Sequence, residues 1–543
     1  MTQAMPHAPT GLAWTQAQSP ALFAPEQLTQ SVEHFREPAY VVQAPDGTRG
    51  VAFGGQVAGQ GQLPVVGMLP AIYPEWLGDR SFCEVHGTRF SYVAGAMANG
   101  IATTDLVLAM ANNGMLGFFG SAGLPFERVK EAHDTLFAAL GEGDPAKGQK
   151  PYGMNLIHSP HEPDLEQAIV DLYLERKVRR VSASAYMDLT PMVVQYAIKG
   201  LRQDANGTIL RDNFLFAKIS RPETAAKFMS PAPKAILDKL VAEGKLTADE
   251  ARLAALVPVA EDITVEADSG GHTDNQILTA VFPTVLAQRE AIAAKHGYTR
   301  PIRVGAAGGL GSPSAVAAAY ALGAAYVLTG SVNQGCIEGG LAPYGKKLLA
   351  QAELGDVMMA PAADMFEMGV KVQVLRRGTM FGNRAHKLYE TYRAYPSLEA
   401  IPADEQKMLE TQIFQQPLKE VWRATQSFFA KRDPKELEKA EKDPKHLMAL
   451  VFRAYLGQSS RWAIAGDEKR KLDFQIWAGP AQCSFNAWVK GSFLEPVENR
   501  KAVQVARNLL EGAAAITRAQ GMRSAGVAVP EGAFEFAPRP LEA

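Results

Sequence analysis

A chain of 543 residues is too long for one ordinary core, so two or three domains are expected. With 47% hydrophobic and 21% charged residues and a formal charge of -2, it has a globular composition and no net field to gather nucleic acid or an anionic membrane. Three widely spaced cysteines, Cys83, Cys336 and Cys483, form no metal-ligand pattern and argue against disulfides or structural zinc.

The first residues carry no basic segment followed by an apolar run, and no apolar stretch is long enough to span a bilayer, so a cytoplasmic protein is expected. Residues 1–38, rich in Pro, Gln and Ala, predict a loosely ordered lead-in. From Tyr40, two short strands flank an Asp46-Gly47 turn and predict a small β subdomain within residues 1–88. Leu69 to Arg89, dense in Pro and aromatic residues, reads as a packed irregular connection.

From Phe90 to about Asn333 strands and helices alternate. The candidate strands are Phe90–Ala94, Met115–Phe119, Tyr152–Ile157, Arg180–Ser184, Phe214–Ile219, Ile263–Glu266, Ile302–Gly305 and Tyr326–Thr329. Interleaved helical stretches such as Thr104–Asn113, Pro125–Leu140 and Pro163–Arg176 predict an α/β fold, a (β/α)8 TIM barrel over residues 89–335. A doubly wound sheet is the alternative. Residues 231–257 read as a helical hairpin inserted after the fifth strand, with Thr247 and Glu250 as a capping box. Residues 336–543 change to long helical stretches and predict a mostly helical domain, whose mixed-charge run Lys431–Lys445 reads as an exposed, salt-bridged helix.

The chemistry is expected at the strand ends. Strand six runs into Ser269-Gly270-Gly271, which lets the backbone approach a ligand closely, and His272 sits on that turn. Thr273, Asp274 and Asn275 are candidate caps for the helix that follows. An imidazole there can donate to a ligand oxygen or exchange a proton, which makes His272 the candidate catalytic residue. Strand seven runs into Gly305-Ala306-Ala307-Gly308-Gly309-Leu310-Gly311-Ser312, and strand eight into Thr329-Gly330-Ser331. Small, amide-rich turns after strands seven and eight are where barrel enzymes hold a phosphate. His158 and His161, after strand three, are candidate substrate-side loop residues, since Pro160 breaks their register and no third metal ligand is evident. Gly340–Lys347 mimics a P-loop, but Lys347 replaces the Ser/Thr and Pro343 removes an amide. Gly305–Ser314 lacks the third glycine of a dinucleotide fingerprint.

Val85-His86-Gly87-Thr88-Arg89, Ala94-Gly95-Ala96-Met97-Ala98-Asn99-Gly100-Ile101, Met115-Leu116-Gly117-Phe118-Phe119-Gly120, Glu266–Asn275 and Met365–Arg384 resemble the PfaD family. These are trans-acting enoyl reductases of polyunsaturated fatty acid and trans-acyltransferase polyketide synthases, within the nitronate monooxygenase and flavin enoyl-reductase superfamily. The likeness runs over nearly the whole chain from Tyr40. It implies an FMN-binding barrel with an appended substrate-binding domain, NADPH as hydride donor, and substrates carried on acyl carrier protein. It assigns Ala94, Gly95, Ala96, Met97 and Asn155 to the flavin, with Lys218 close by. Gly308, Gly309, Thr329, Gly330 and Ser331 fall to the FMN phosphate, and His272 to the active-site histidine. A nitronate monooxygenase or a non-catalytic docking subunit of a synthase are the competing functions. An IMP dehydrogenase-like barrel with Cys336 as nucleophile is disfavoured, because Cys336 lies beyond the eighth strand.

Between Lys371 and Lys387 the chain carries Lys371, Arg376, Arg377, Arg384 and Lys387 and no acidic residue. That run is the candidate docking surface for an acidic carrier protein. A homodimer is left open.

Overall fold

The computed structural model describes residues 11–160 and 162–542. Eight parallel strands close into a barrel in the order expected of a (β/α)8 fold. They are Tyr92–Ala94, Leu116–Phe119, Gly153–Ile157, Arg180–Ser184, Phe214–Ile219, Asp262–Glu266, Arg303–Ala307 and Val327–Thr329. The eighth pairs with the first, Thr329 opposite Ala94, so the sheet has no edge and the doubly wound alternative falls away. Strands so enclosed are buried on both faces, which is why Arg303–Ala307 is buried at every position. The inserted hairpin is present as helices Lys234–Ala242 and Ala248–Ala254, and Thr247 and Glu250 form the capping box.

The bottom of the barrel is stoppered by a short helix, Arg80–His86. Asp79 caps it by accepting from Ser81 N, and Gly87 ends it in the left-handed region. Phe82 stacks on Tyr326 at 4.7 Å between centroids. His86 Nε2 lies 3.1 Å from Asp262 Oδ2, while Arg303 forks onto the same carboxylate at 2.6 and 2.8 Å. Burial outweighs the attraction of Asp262 and pushes the His86 imidazole down to about 4. This cluster lies at the strand beginnings, the face of a barrel that serves stability.

Two expectations are corrected outside the barrel. The expected loose lead-in holds strand Ala13–Thr15 and helix Pro25–Ser31, and Trp14 is 1% exposed. That strand joins Ala39–Gln43, Arg49–Phe53, Gln56–Ala58 and Leu63–Leu69 in one five-stranded sheet. Strands this short leave no periodicity to read. The hairpin expected around Asp46-Gly47 is there, with Thr48 N donating to Asp46.

The segment 336–543 is also not one helical unit. Its last long helix, Ala502–Ser524, packs between Pro313–Ala321 and Thr104–Asn112, the place of a barrel's eighth helix. Residues 336–501 are therefore inserted between strand eight and that helix. They build a second core around Phe366, Phe381, Phe452 and Tyr455. It includes an unexpected antiparallel pair, Val357–Pro361 with Lys371–Leu375, and the short strand Gly271–His272 adds to its edge. Among the described residues, no helix is long and apolar enough to cross a membrane.

Candidate active site

The turns after strands six, seven, eight and one meet at the top of the barrel. Gly308 sits at φ +85°, and a Cβ there would come within 2.7 Å of the Ala267 carbonyl, so this loop is pressed onto the end of strand six. Ala307 O accepts from Ala267 N at 2.8 Å, fixing the same contact. Gly309, at φ +73°, and Gly330 each have open space where a side chain would point. Ser312 caps helix Pro313–Ala321, its side chain accepting from Ala315 N.

The Thr329 hydroxyl is engaged within the fold: it lies 2.6 Å from Tyr92 OH and accepts from Asn333 Nδ2 at 3.0 Å. Gly95 N donates to Thr329 O at 2.9 Å, joining the Ala94-Gly95-Ala96-Met97 turn to the same place. Asn155 is buried, its Nδ2 donating to Ser182 O at 2.8 Å and Ser184 Oγ at 3.0 Å, and its side-chain Oδ1 accepts no hydrogen bond from the described residues. Lys218 and Glu266, on adjoining strand ends, form an ion pair.

The turn carrying His272 is held by Asp268. Its carboxylate accepts from Asn275 Nδ2 at 2.8 Å and from Gln373 Nε2 at 2.9 Å. The expected capping by Thr273, Asp274 and Asn275 is not found: the helix starts at Leu278 with Ile277 before it and no side-chain cap. Asp274 instead pairs with Arg221 and Ser220, and Thr273 accepts from Asn275 N, so all three fix the turn itself. A Cβ on Gly270 would come within 2.9 Å of the Ala478 backbone, and one on Gly311 would run into the Ala481 carbonyl. The Ala478–Ala481 turn of the inserted segment thus closes over both loops. Ser269 Oγ is buried there with no partner, the kind of orphan a ligand satisfies.

His272 Nε2 lies 3.1 Å from Asp364 Oδ1, and 51% of the imidazole side chain is exposed. Burial raises the Asp364 carboxyl, but the hydrogen bond and charge of His272 outweigh it and hold it below the ordinary range. Asp364 escaped the sequence reading; its signal was its position directly before the matched Met365–Arg384 stretch. His158 has a second carboxylate. Its Nδ1 is 3.1 Å from Glu166 Oε2, Glu166 also accepts from Tyr186 OH at 2.8 Å, and the His158 and Tyr186 rings stack at 5.1 Å. Burial and Glu166 push the Tyr186 hydroxyl far up. His161 lies outside the described residues.

The basic run is not a free positive surface. Arg384 is paired with the buried Asp473, Lys387 with Glu405 at 2.7 Å, and Arg377 with Asp356. Lys371 and Arg376 are exposed. Cys336 is fully buried, which raises its thiol far above the range of a nucleophile. Among the described residues, no group of three or more His, Cys, Asp or Glu could hold a metal ion.

Comparison with known proteins agrees with this architecture. The family model of the inserted helical domain of [acyl-carrier-protein] S-malonyltransferase matches residues 395–474, which lie inside the inserted segment. The chain is 44% identical to a polyunsaturated fatty acid synthase subunit of Thraustochytrium sp. over 506 residues, 92% of this chain and 33% of that protein. It is 42% identical to polyketide biosynthesis protein PksE of Bacillus subtilis over 439 residues, 81% of this chain and 56% of that one. The chain thus spans only part of the length of these relatives. The crystal structure of the enoyl reductase domain of MlnA, from the macrolactin biosynthesis cluster of Bacillus amyloliquefaciens, superimposes with a TM-score of 0.78 at 36% identity. The match covers 83% of this chain and 99% of that domain. Fold and site define a (β/α)8 barrel with glycine-rich turns at its strand ends and a large insertion before its last helix. The chain belongs to the PfaD-like enoyl reductase family.

Proposed function

We propose that the chain is an FMN-dependent enoyl reductase that acts in trans on α,β-unsaturated acyl thioesters carried by acyl carrier protein, with NADPH as reductant. The observation that carries this reading is the convergence of Gly309, Gly330 and the orphan Ser269 hydroxyl at the strand ends, in a chain that matches an enoyl reductase domain over 99% of that domain's length. The residues present fit FMN: two glycines open onto space where an anion can sit, an adjoining hydroxyl lacks a partner, and Asn155 has an acceptor to spare. Gly308, Gly309, Gly330 and Ser331 would hold the phosphate. Ala94 to Met97, Asn155 and Lys218 would border the ring, with Gly270 and Gly271 in the adjoining turn. FMN held there would supply hydride transfer from NADPH to the β-carbon of the enoyl thioester.

The protein's own residues do the rest. Asp364 fixes the His272 ring through Nε2, and His272 provides the proton that the α-carbon takes up. The Ala478–Ala481 turn covers the glycine loops and excludes water from the phosphate side. The test is an anaerobic titration of purified protein. NADPH should bleach the flavin absorbance and a crotonyl thioester should restore it. A preparation that neither contains nor binds FMN overturns the reading, and one whose flavin is reduced by a nitronate and reoxidised only by oxygen replaces it with the oxygenase.

A further inference from the structure

Two closed loops meet at the His272–Asp364 hydrogen bond. The first leaves strand six and folds back on itself, Asp268 N donating to Gln276 O at 2.9 Å, so that Ile277 lies at its base beside the strand end. The second joins strands Val357–Pro361 and Lys371–Leu375 of the insertion and is closed by Ala362 N donating to Val370 O at 2.8 Å, with Asp364 and Met368 both inside it. Ile277 is 69% exposed and Met368 70%, the largest values for any large apolar side chain among the described residues. Neither joins the core of the barrel or that of the insertion. One exposed apolar residue is ordinary on a folded surface; here the two most exposed stand on the two loops that carry the candidate proton donor and its partner.

Folding accounts for neither side chain. Ile277 occupies the N-cap position of helix Leu278–His296, where Ser, Thr, Asp and Asn are preferred because their oxygens accept from the first turn, and it leaves that helix without a side-chain cap. Both residues stand on fixed turns. Asn275, two residues before Ile277, is at φ +50° and anchored on Asp268, while Gly369, beside Met368, is at φ +72° with the Tyr389 hydroxyl where a Cβ would stand. The charges within the two loops are already matched. Asp274 pairs with Arg221, Glu367 pairs with Arg453 at 3.2 Å, and Asp268 accepts from Asn275 and Gln373. An apolar ligand is therefore favoured beside the dyad, since it takes both side chains out of water. A methionine suits that part, because its flexible thioether adapts to chains of differing shape.

Resting on the enoyl reductase reading, we infer that Ile277 and Met368 form the wall against which the acyl chain beyond the double bond lies, making the protein selective for long apolar enoyl chains over crotonyl. With His272 at the α-carbon, the chain that continues from the β-carbon passes these two loops as it leaves the site.

The test compares trans-2-octenoyl and crotonyl thioesters of pantetheine, which differ only in methylenes. The wild type should show the higher kcat/KM for octenoyl, by up to about four-fold for each methylene that reaches the wall. Ile277→Ser combined with Met368→Gln should lower the octenoyl-to-crotonyl ratio about ten-fold, the worth of roughly two methylenes returned to water, chiefly through the KM of octenoyl. Its melting temperature should not fall, because serine caps the helix that isoleucine leaves bare. Equal wild-type efficiencies, or a ratio that the variant keeps, overturns the assignment. A loss shared by both thioesters also overturns it, giving the surface to the pantetheine arm. If the wild type reduces neither thioester, the enoyl reductase reading fails separately, and calorimetric titration with octanoyl against acetyl pantetheine still decides the wall. Tighter binding of the octanoyl compound that the variant abolishes supports it, and equal binding refutes it.

Discussion

Gly308 and Gly309 stand side by side at positive φ, yet the structure gives them separable tasks, which one pair of substitutions can expose. Alanine at either position carries the left-handed penalty of roughly 1–2 kcal/mol. At Gly308 the new Cβ also meets the Ala267 carbonyl at 2.7 Å and Asp268 O at 2.9 Å, both backbone atoms that cannot swing away. That overpacking adds about 1–3 kcal/mol to the cost in the flavin-free protein. At Gly309 nothing stands within 4 Å, so the flavin-free protein should bear only the backbone term. The methyl group there fills the space proposed for phosphate. Losing one hydrogen bond to a charged group costs about 1.5–3 kcal/mol, or roughly 10- to 150-fold in FMN affinity. Thermal melts of flavin-stripped protein and fluorescence titration with FMN separate the two quantities. Gly308→Ala should lower the melting temperature of the stripped form more than Gly309→Ala does, while Gly309→Ala should show the clean loss of affinity. Wild-type FMN affinity in Gly309→Ala refutes the cradle; equal melting losses refute the packing argument.

His272→Ala should keep its flavin and slow reoxidation by enoyl thioester by roughly 10²- to 10⁴-fold, and Asp364→Asn should add little in that background because the two act as one unit; stopped-flow absorbance measures both. Arg376→Glu combined with Arg377→Glu should leave the KM for carrier-bound substrate little changed, since Arg377 already serves Asp356; a large rise would return docking to that surface. The buried His86 fits only as the neutral imidazole. Its contribution is complete above pH 6.5 and is lost as pH falls towards about 4, a difference of about 3 kcal/mol that denaturant midpoints measured from pH 7 to 4 should reveal. An identical slope in His86→Gln would show that another group is responsible.

The barrel was legible because enclosed parallel strands are continuous apolar runs separated by helices, and every expected strand end falls within two residues of the observed one. The glycine turns were legible because close approach and positive φ leave few other residue types. What escaped was everything decided by distant partners. The count of charges from Lys371 to Lys387 could not foresee Asp356, Asp473 and Glu405, which arrive from other elements and neutralise three of its cations. Thr273, Asp274 and Asn275 have the composition of a helix start, but Arg221 and Asp268 claim Asp274 and Asn275 first. The eighth helix was read as part of a separate domain because some 170 residues part it from the eighth strand.

That insertion makes the candidate catalytic histidine a shared possession. His272 grows from strand six, but Val372 pairs with it, Asp364 bonds its ring, and Gln373 ties its turn through Asp268 and Ser269 O, all three from the inserted segment. Both ends of that segment are fixed in the barrel, at Ser331–Gln334 and at Ala502–Ser524, so its placement is not left to a flexible linker. The glycine turns proposed for the phosphate, by contrast, extend from barrel strands seven and eight. Orientation of the histidine and retention of the flavin should therefore come apart when the link between barrel and insertion is cut. Gln373→Ala removes a hydrogen bond to the charged Asp268 worth about 1.5–3 kcal/mol, while Asn275 keeps that carboxylate partly satisfied. The variant should bind FMN as the wild type does and accept hydride from NADPH at an unchanged rate, yet be reoxidised by crotonyl thioester about ten-fold more slowly or worse, read by stopped-flow absorbance. If flavin is lost in step with turnover, the turn belongs to the cofactor cradle rather than to the alignment of His272, and the division of labour argued from these contacts is wrong.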